Sequence, residues 1–302
     1  MSDKTKKAAP RIQLTRLDLN KMFNEDAPAP DYVLPGMLSG TVGMVVGAGA
    51  TGKSMWVMEA ALSVSSGKDL FGILGNDPIG GRVVYLCAED QEPVLHVRLR
   101  MMALAIRAQY GDAAEAYLQA IQERFDVVPV FGLGLTIRSL EDPNWNAVSD
   151  YCKGARLAIL DTLIRFAGGA NENDNVAMGA MMNGVEQTVR ATGSTFLLLH
   201  HVGKGSARDG SSGGDQTATR GASSLTDNCR WQANLATMSV EEGTRRGLEG
   251  ADRRSWVSFE PTKTNYGPPI DSVWLHREAG GLLVRMEPPE PANGGGRGQG
   301  RI

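Results

Sequence analysis

The sequence predicts an α/β fold with a mostly parallel central sheet, helices on its faces, and additional antiparallel strands at the C-terminal side. Three observations predict it. Over the first two-thirds, short apolar runs alternate with stretches of helical apolar spacing, the pattern of a parallel sheet covered on both faces. After the Gly/Ser-rich stretch 203–217 the period changes to short strand-like runs separated by turns, which read as antiparallel. Several apolar runs end in charged or polar residues, and ligands of open α/β sheets bind at those C-terminal strand ends.

Residues 1–30 are polar, end in APAP, and read as a flexible N-terminal arm. The folded core is expected over 31–286, beginning at DYVLPGMLSG, and the Pro- and Gly-rich stretch 287–302 as a disordered tail. Within the core, TVGMVVGAG is a buried strand running into a Gly-rich loop, and 53–66 has helical spacing. RVVYLCAED (82–90) is a strand ending in acids, followed by helical stretches 93–109 and 112–124. FDVVPV is a strand, 144–155 a helix, RLAILDT a strand, 174–192 a helix with a Met-rich face, and STFLLLHH a strand. CRWQANLATM, SWVSFEPTKTN, SVWLHRE and GLLVRME supply the later strands.

The chain has 302 residues, 42% hydrophobic and 22% charged. A chain of that size buries about 75% of its unfolded surface and needs no covalent staples. Glycine is abundant, 37 residues against a usual share of about 7%, and its clustering points to functional loops. A net charge of −3 argues against a broadly basic surface for nucleic acid, while leaving room for a few cations focused in a channel. The three cysteines, Cys87, Cys152 and Cys229, share no metal-ligand spacing and read as small core residues of a reducing compartment. No apolar run reaches the roughly 18 residues of a membrane span, and the basic N-terminus has no apolar segment of a secretory signal. A cytoplasmic protein is expected.

Gly47-Ala48-Gly49-Ala50-Thr51-Gly52-Lys53-Ser54 fits GxxxxGK[ST], follows a strand and opens a helix. That context marks a P-loop rather than a chance glycine loop. Backbone N–H groups converge on phosphate there and the helix N-terminus adds positive potential. Lys53 then reaches the β- and γ-phosphates, and Ser54 helps hold Mg²⁺, so ATP and Mg²⁺ are the expected ligands. Asp161 ends the apolar run Leu157–Leu160, the pattern of a carboxylate that holds Mg²⁺ beside Ser54; a helix cap is the alternative. Glu89 and Asp90 end the VVYLCA strand, which is expected to neighbour the P-loop strand. Glu89 is the expected base for the water attacking the γ-phosphate, and Asp90 a cap for the next helix. His200 and His201 end the fifth strand; either can sense the γ-phosphate, and a structural role is the alternative for each. The 203–217 loop carries Lys204 and Arg208 among glycines and serines, which suits contact with single-stranded DNA.

TVGMVVGAGATGKS, VVYLCAED, LAILDTLIRF, LLLHHVGKG, ATRGASSLTDNCRW and TKTNYGPP occur in this order. Together they resemble the RepA-type hexameric replicative helicases of broad-host-range plasmids, members of the RecA-like ring ATPases, from about Asp31 to Arg285. The resemblance implies a RecA-like core and a homo-hexameric ring. It implies an ATP-driven helicase moving 5′ to 3′ on single-stranded DNA, with a primase or initiator protein as a further partner. Lys53 and Ser54 would be the nucleotide and magnesium residues, Glu89 the catalytic glutamate, Asp161 the Mg²⁺ aspartate, and His200 or His201 the phosphate sensor. Arg220, in ATRGAS, would be an arginine finger given to the neighbouring subunit. Lys263 would join the catalytic groups and Tyr266 the nucleotide contacts, from a segment that crosses the subunit interface in related ring helicases. Many of those carry Lys-x-Arg there, whereas this chain has Lys263-Thr264-Asn265. The alternatives are a DNA-stimulated ATPase switch without unwinding, and a P-loop small-molecule kinase, for which no arginine-bearing lid is evident.

Overall fold

The computed structural model describes residues 14–137, 140, 142–171, 174–201 and 223–291. They fall into two units, divided after Asp31. In the first, α1 (Leu19–Asn24) is a short helix whose N-cap, Asp18, accepts the Lys21 N–H at 3.1 Å. No α1 side chain is buried. A helix stands within the stretch that the sequence reads as a flexible arm, and the capping carboxylate in LDLNKMF is its local reason.

The second unit opens with a small antiparallel hairpin, β1 (Tyr32–Leu34) and β2 (Met37–Leu38). It turns at Gly36, whose φ of 69° favours glycine. A nine-stranded sheet follows. Its strands are β3 (Val42–Gly47), β4 (Val83–Cys87), β5 (Phe125–Pro129), β6 (Leu157–Asp161), β7 (Thr195–His201), β8 (Trp231–Thr237), β9 (Trp256–Thr264), β10 (Val273–Arg277) and β11 (Leu283–Arg285). Their order is β11-β10-β9-β8-β3-β7-β6-β4-β5. β8, β3, β7, β6, β4 and β5 run parallel to one another; β9, β10 and β11 continue the sheet antiparallel. This is the predicted mixed α/β architecture.

The helices are α2 (Lys53–Ser66), α3 (Glu92–Tyr110), α4 (Ala114–Arg124), α5 (Pro143–Cys152), α6 (Asn175–Thr192), α7 (Ser223–Asn228), α8 (Val240–Arg245) and α9 (Gly250–Ser255). Side chains of successive strand residues point to opposite faces, and the cores separate accordingly. On one face Val45, Tyr85, Ile159, Leu197 and Leu199 pack with α2, α3 and α4. On the other, Met44, Val46, Leu86, Leu160 and Leu198 pack with α5, α6 and Leu225 of α7. The Met-rich face of α6 faces inward through Met178, Met181 and Met182. Cys87, Cys152 and Cys229 are free and buried, and burial pushes the Cys152 and Cys229 thiols up to about 12.

One expected adjacency is corrected. β4 does not neighbour the P-loop strand β3; β6 and β7 lie between them. Both intervening strands have continuous apolar runs, 157–160 and 196–199, so periodicity alone carries no information about their lateral order. The short helices α8 and α9, polar and brief, gave no periodic signal. No helix among the described residues is long and apolar enough to cross a membrane.

Candidate active site

The site forms at the C-terminal edge of the parallel strands. β3 ends at Gly47, where a Cβ would stand 2.5 Å from the Leu235 carbonyl oxygen; the neighbouring strand β8 therefore demands glycine. The loop turns through Ala50 at φ 64°, the one non-glycine residue with positive φ among those described, and through Gly52 at φ 100°. Gly52 is the N-cap of α2 and supplies no side-chain cap, so the first N–H groups of α2 stay available to an anion.

Lys53 folds back into this loop. Its Nζ donates to Gly47 O at 2.7 Å and Ala48 O at 2.8 Å, and lies 3.1 Å from His201 Nδ1. Burial lowers its pKa to about 8, against the raising influence of Asp161 and Glu89. An ammonium has only donors, so His201 Nδ1 accepts and the ring proton sits on Nε2. That nitrogen stands 3.7 Å from Glu89 Oε2. A chain of groups thus runs from Lys53 through His201 to Glu89, with Arg165 Nε 3.8 Å from Glu89 Oε1 at its far end.

Glu89 reaches this edge although β4 lies two strands from β7. The residues after β4 cross the end of β6, and the Ala88 N–H donates to Asp161 O at 2.6 Å. Asp90 is turned elsewhere, paired with Arg98 of α3 at 2.5 Å; the N-cap of α3 is Gln91, so Asp90 does not cap that helix. Asp161 is 2% exposed. Burial raises its pKa, opposed by hydrogen bonds from Tyr85 and Ser54, the Tyr85 hydroxyl standing 2.5 Å away. A hydroxyl and a carboxylate side by side are hard oxygen donors of the kind Mg²⁺ takes when phosphate oxygens and water complete its shell.

Strand alternation separates the two histidines. His201 shares the α2 face with Leu197 and Leu199, whereas His200 follows Phe196 and Leu198 to the other face. His200 is 4% exposed, and burial, then His201 and Lys53, lower its pKa to about 4. Only His201 meets Lys53.

Lys263 and Tyr266 are not brought to the P-loop of their own chain. β9 runs antiparallel, so Lys263 lies opposite Gln232, which in turn pairs with Met44 near the start of β3. Its Nζ donates to Thr226 O at 2.7 Å and Asp227 O at 3.2 Å, carbonyls in the last turn of α7. Tyr266 borders a pocket of about 290 Å³ at that opposite edge, with Arg190 and Arg230. Lys204, Arg208 and Arg220 lie outside the described residues.

Arg277 was not singled out from the sequence. It stands on β10, two antiparallel strands beyond β8, and its Nη2 donates to Ala50 O at 3.2 Å within the P-loop. Nothing in its local sequence signals this; the contact depends on how the last strands extend the sheet beside α2.

A family model described as an AAA domain matches residues 8–207. The chain belongs to this AAA domain family. Two solved structures share the fold of the AAA-domain protein. One, described as the ATPase domain of G40P, has a TM-score of 0.56 at 13% identity, over 83% of this chain and 87% of the other. The second, a DnaB-like replicative helicase studied with primase, has a TM-score of 0.58 at 14% identity over 82% of this chain. The chain spans 58% of that protein's length. The fold is RecA-like: a parallel core extended by antiparallel strands on its C-terminal side.

Proposed function

We propose that this AAA-domain protein is an ATP-dependent ring helicase of the RepA type, moving on single-stranded DNA, 5′ to 3′, as a homo-hexamer. The observation that carries the hydrolytic part is the Lys53–His201–Glu89 chain beside the Asp161–Ser54 pair. A phosphate-binding lysine, a carboxylate base and a histidine between them are the groups that hydrolysis of a phosphoanhydride uses.

In the proposed reaction ATP phosphates enter the P-loop and draw Lys53 from the Gly47 and Ala48 carbonyls. Glu89 accepts a proton from water as the water oxygen bonds to the γ-phosphorus, and the bond to the β–γ bridging oxygen breaks with its electron pair leaving on ADP. His201, released by Lys53, senses the γ-phosphate. Ser54 and Asp161 would hold Mg²⁺, which when bound neutralises phosphate charge. Arg220 is assigned to the neighbouring subunit's ATP, with Lys263 and Tyr266 on the same interface, and Lys204 and Arg208 to the DNA. A primase or initiator protein is the proposed further partner. The solved structure of a DnaB-like replicative helicase studied with primase, which shares this fold, supports that part of the reading.

Strand displacement on a forked duplex with a 5′ single-stranded tail tests it. The wild-type protein should displace the strand with ATP, and Lys53→Ala should neither bind ATP normally nor unwind. Hydrolysis by the wild type without displacement under these conditions would point instead to a DNA-stimulated switch.

A further inference from the structure

Arg165 has no role in the reading above, yet it is held in a defined place. It lies on the 3₁₀ turn Leu163–Phe166 directly after β6. Leu163 and Phe166, each 1% exposed, bury that turn in the core on the α5–α6 face. The Phe166 carbonyl accepts the Ile137 N–H at 2.8 Å. The backbone under Arg165 is therefore anchored on both sides, while its own side chain is 58% exposed. It faces Glu89 Oε1 at 3.8 Å as His201 Nε2 faces Oε2 at 3.7 Å. Each carboxylate oxygen of the proposed base thus faces its own nitrogen partner, a guanidinium at Oε1 and an imidazole at Oε2, and neither is within hydrogen-bond distance.

We infer that Arg165 is a positioning residue that holds Glu89 back in the absence of DNA, and that a DNA phosphate releases Glu89 by taking the Arg165 guanidinium. The two partners differ in a way that suits this division. His201 answers to the nucleotide, because its other nitrogen is on Lys53. Arg165 has no hydrogen bond to the P-loop among the described residues and is 58% exposed just beyond the C-terminal end of β6. Guanidinium pairs with phosphate at least as well as with carboxylate, in a fork of two parallel bonds. The ion pair with Glu89 is loose and half in water, so a polyanion can displace it at small cost. Glu89 then loses the cation on Oε1 and can turn that oxygen to the attacking water. The inference rests on the proposed hydrolysis and deepens it: it states how DNA would stimulate turnover.

The test compares steady-state ATP turnover of the full chain with and without saturating oligothymidylate, for wild type, Arg165→Ala and Arg165→Lys. Arg165→Ala should raise the DNA-free kcat by about two- to fivefold, the population shift an exposed ion pair can hold. The KM for ATP should be unchanged, and the stimulation by oligothymidylate should fall by the same factor. Arg165→Lys, which keeps the charge and loses the fork, should fall between. A purely structural arginine would lower kcat in both conditions or leave both alone, and either result overturns the inference. The side chain is largely exposed, so the variants should fold; matched thermal unfolding checks this. If the wild type hydrolyses no ATP, the proposed function fails. If it hydrolyses ATP and Arg165→Ala behaves as wild type, only the role of Arg165 fails.

Discussion

Lys53 gives the site a pH dependence that the loop sequence alone does not announce. Burial holds its pKa near 8, while an unfolded lysine titrates near 10.5. Between those values the unfolded chain binds the extra proton, so burying Lys53 weakens the fold below pH 8 and this penalty fades as pH rises towards 10.5. Nucleotide binding has the opposite sense, because phosphate needs the protonated amine. ATP affinity should be flat from pH 6.5 to 7.5 and should fall by about fivefold between pH 8 and 9 as Lys53 deprotonates. Titration of a fluorescent ATP analogue across this range measures it. Lys53→Ala should bind more weakly throughout and lose that fall; an unchanged slope in the variant would assign the titration to another group. The P-loop and Asp161 were legible in the sequence because each is a local pattern, a glycine spacing or an apolar run with a terminal acid. The choice between His200 and His201 was not, since it depends on which face of the sheet carries α2. Arg165 and Arg277 were illegible for a stronger reason: their partners, Glu89 and Ala50, are 76 and 227 residues away.

At the scale of elements, α2 is tied to the last strand by a buried acid. Glu59 is 0% exposed, its Oε1 accepts the Leu283 N–H at 2.8 Å, and its Oε2 has no hydrogen-bond partner. Burial raises its pKa well above the carboxylate range. The unfolded chain releases this proton at a lower pH than the folded one, so stability falls as pH rises above the ordinary glutamate value. Glu59→Gln keeps the acceptor for Leu283 and cannot ionise. In urea unfolding it should match wild type within about 1 kcal/mol at pH 5 and be the more stable protein at pH 8. Glu59→Ala should be less stable at both, because it leaves the Leu283 N–H unpaired and a cavity beside α2. A Gln variant that loses ground to wild type from pH 5 to pH 8 would contradict the neutral-acid assignment. The parallel strands and most long helices could be read from the chain, because apolar periodicity reports a strand or helix directly. The lateral order of strands could not, and the misplaced β4 shows why: sheet order is decided by which helices cross which face.

At the scale of the molecule, the two faces of the sheet set up a test of assembly. The P-loop and α2 stand on one face, while α7, which begins three residues after Arg220, packs through Leu225 on the other. A ring joins unlike surfaces of successive subunits, head to tail, so the α2 face of one copy can meet the opposite face of the next. Arg220 would then complete the neighbour's active site and not its own. Arg220→Ala and Glu89→Ala should each be nearly inactive alone, since an arginine finger contributes about 10³–10⁵ in rate. Mixed and reassembled in equal amounts, they should regain turnover, because an interface works wherever the ATP-holding subunit lacks only its arginine and its neighbour lacks only its glutamate. Random mixing makes about one interface in four of that kind, by the logic of a finger supplied across subunits. Recovery should approach that fraction of wild-type ATPase activity if the interfaces work independently. Subunit exchange is established first with differently labelled wild-type copies. Once exchange is shown, an inactive mixture would place Arg220 on the ATP of its own chain, because then no subunit in the mixture holds both groups.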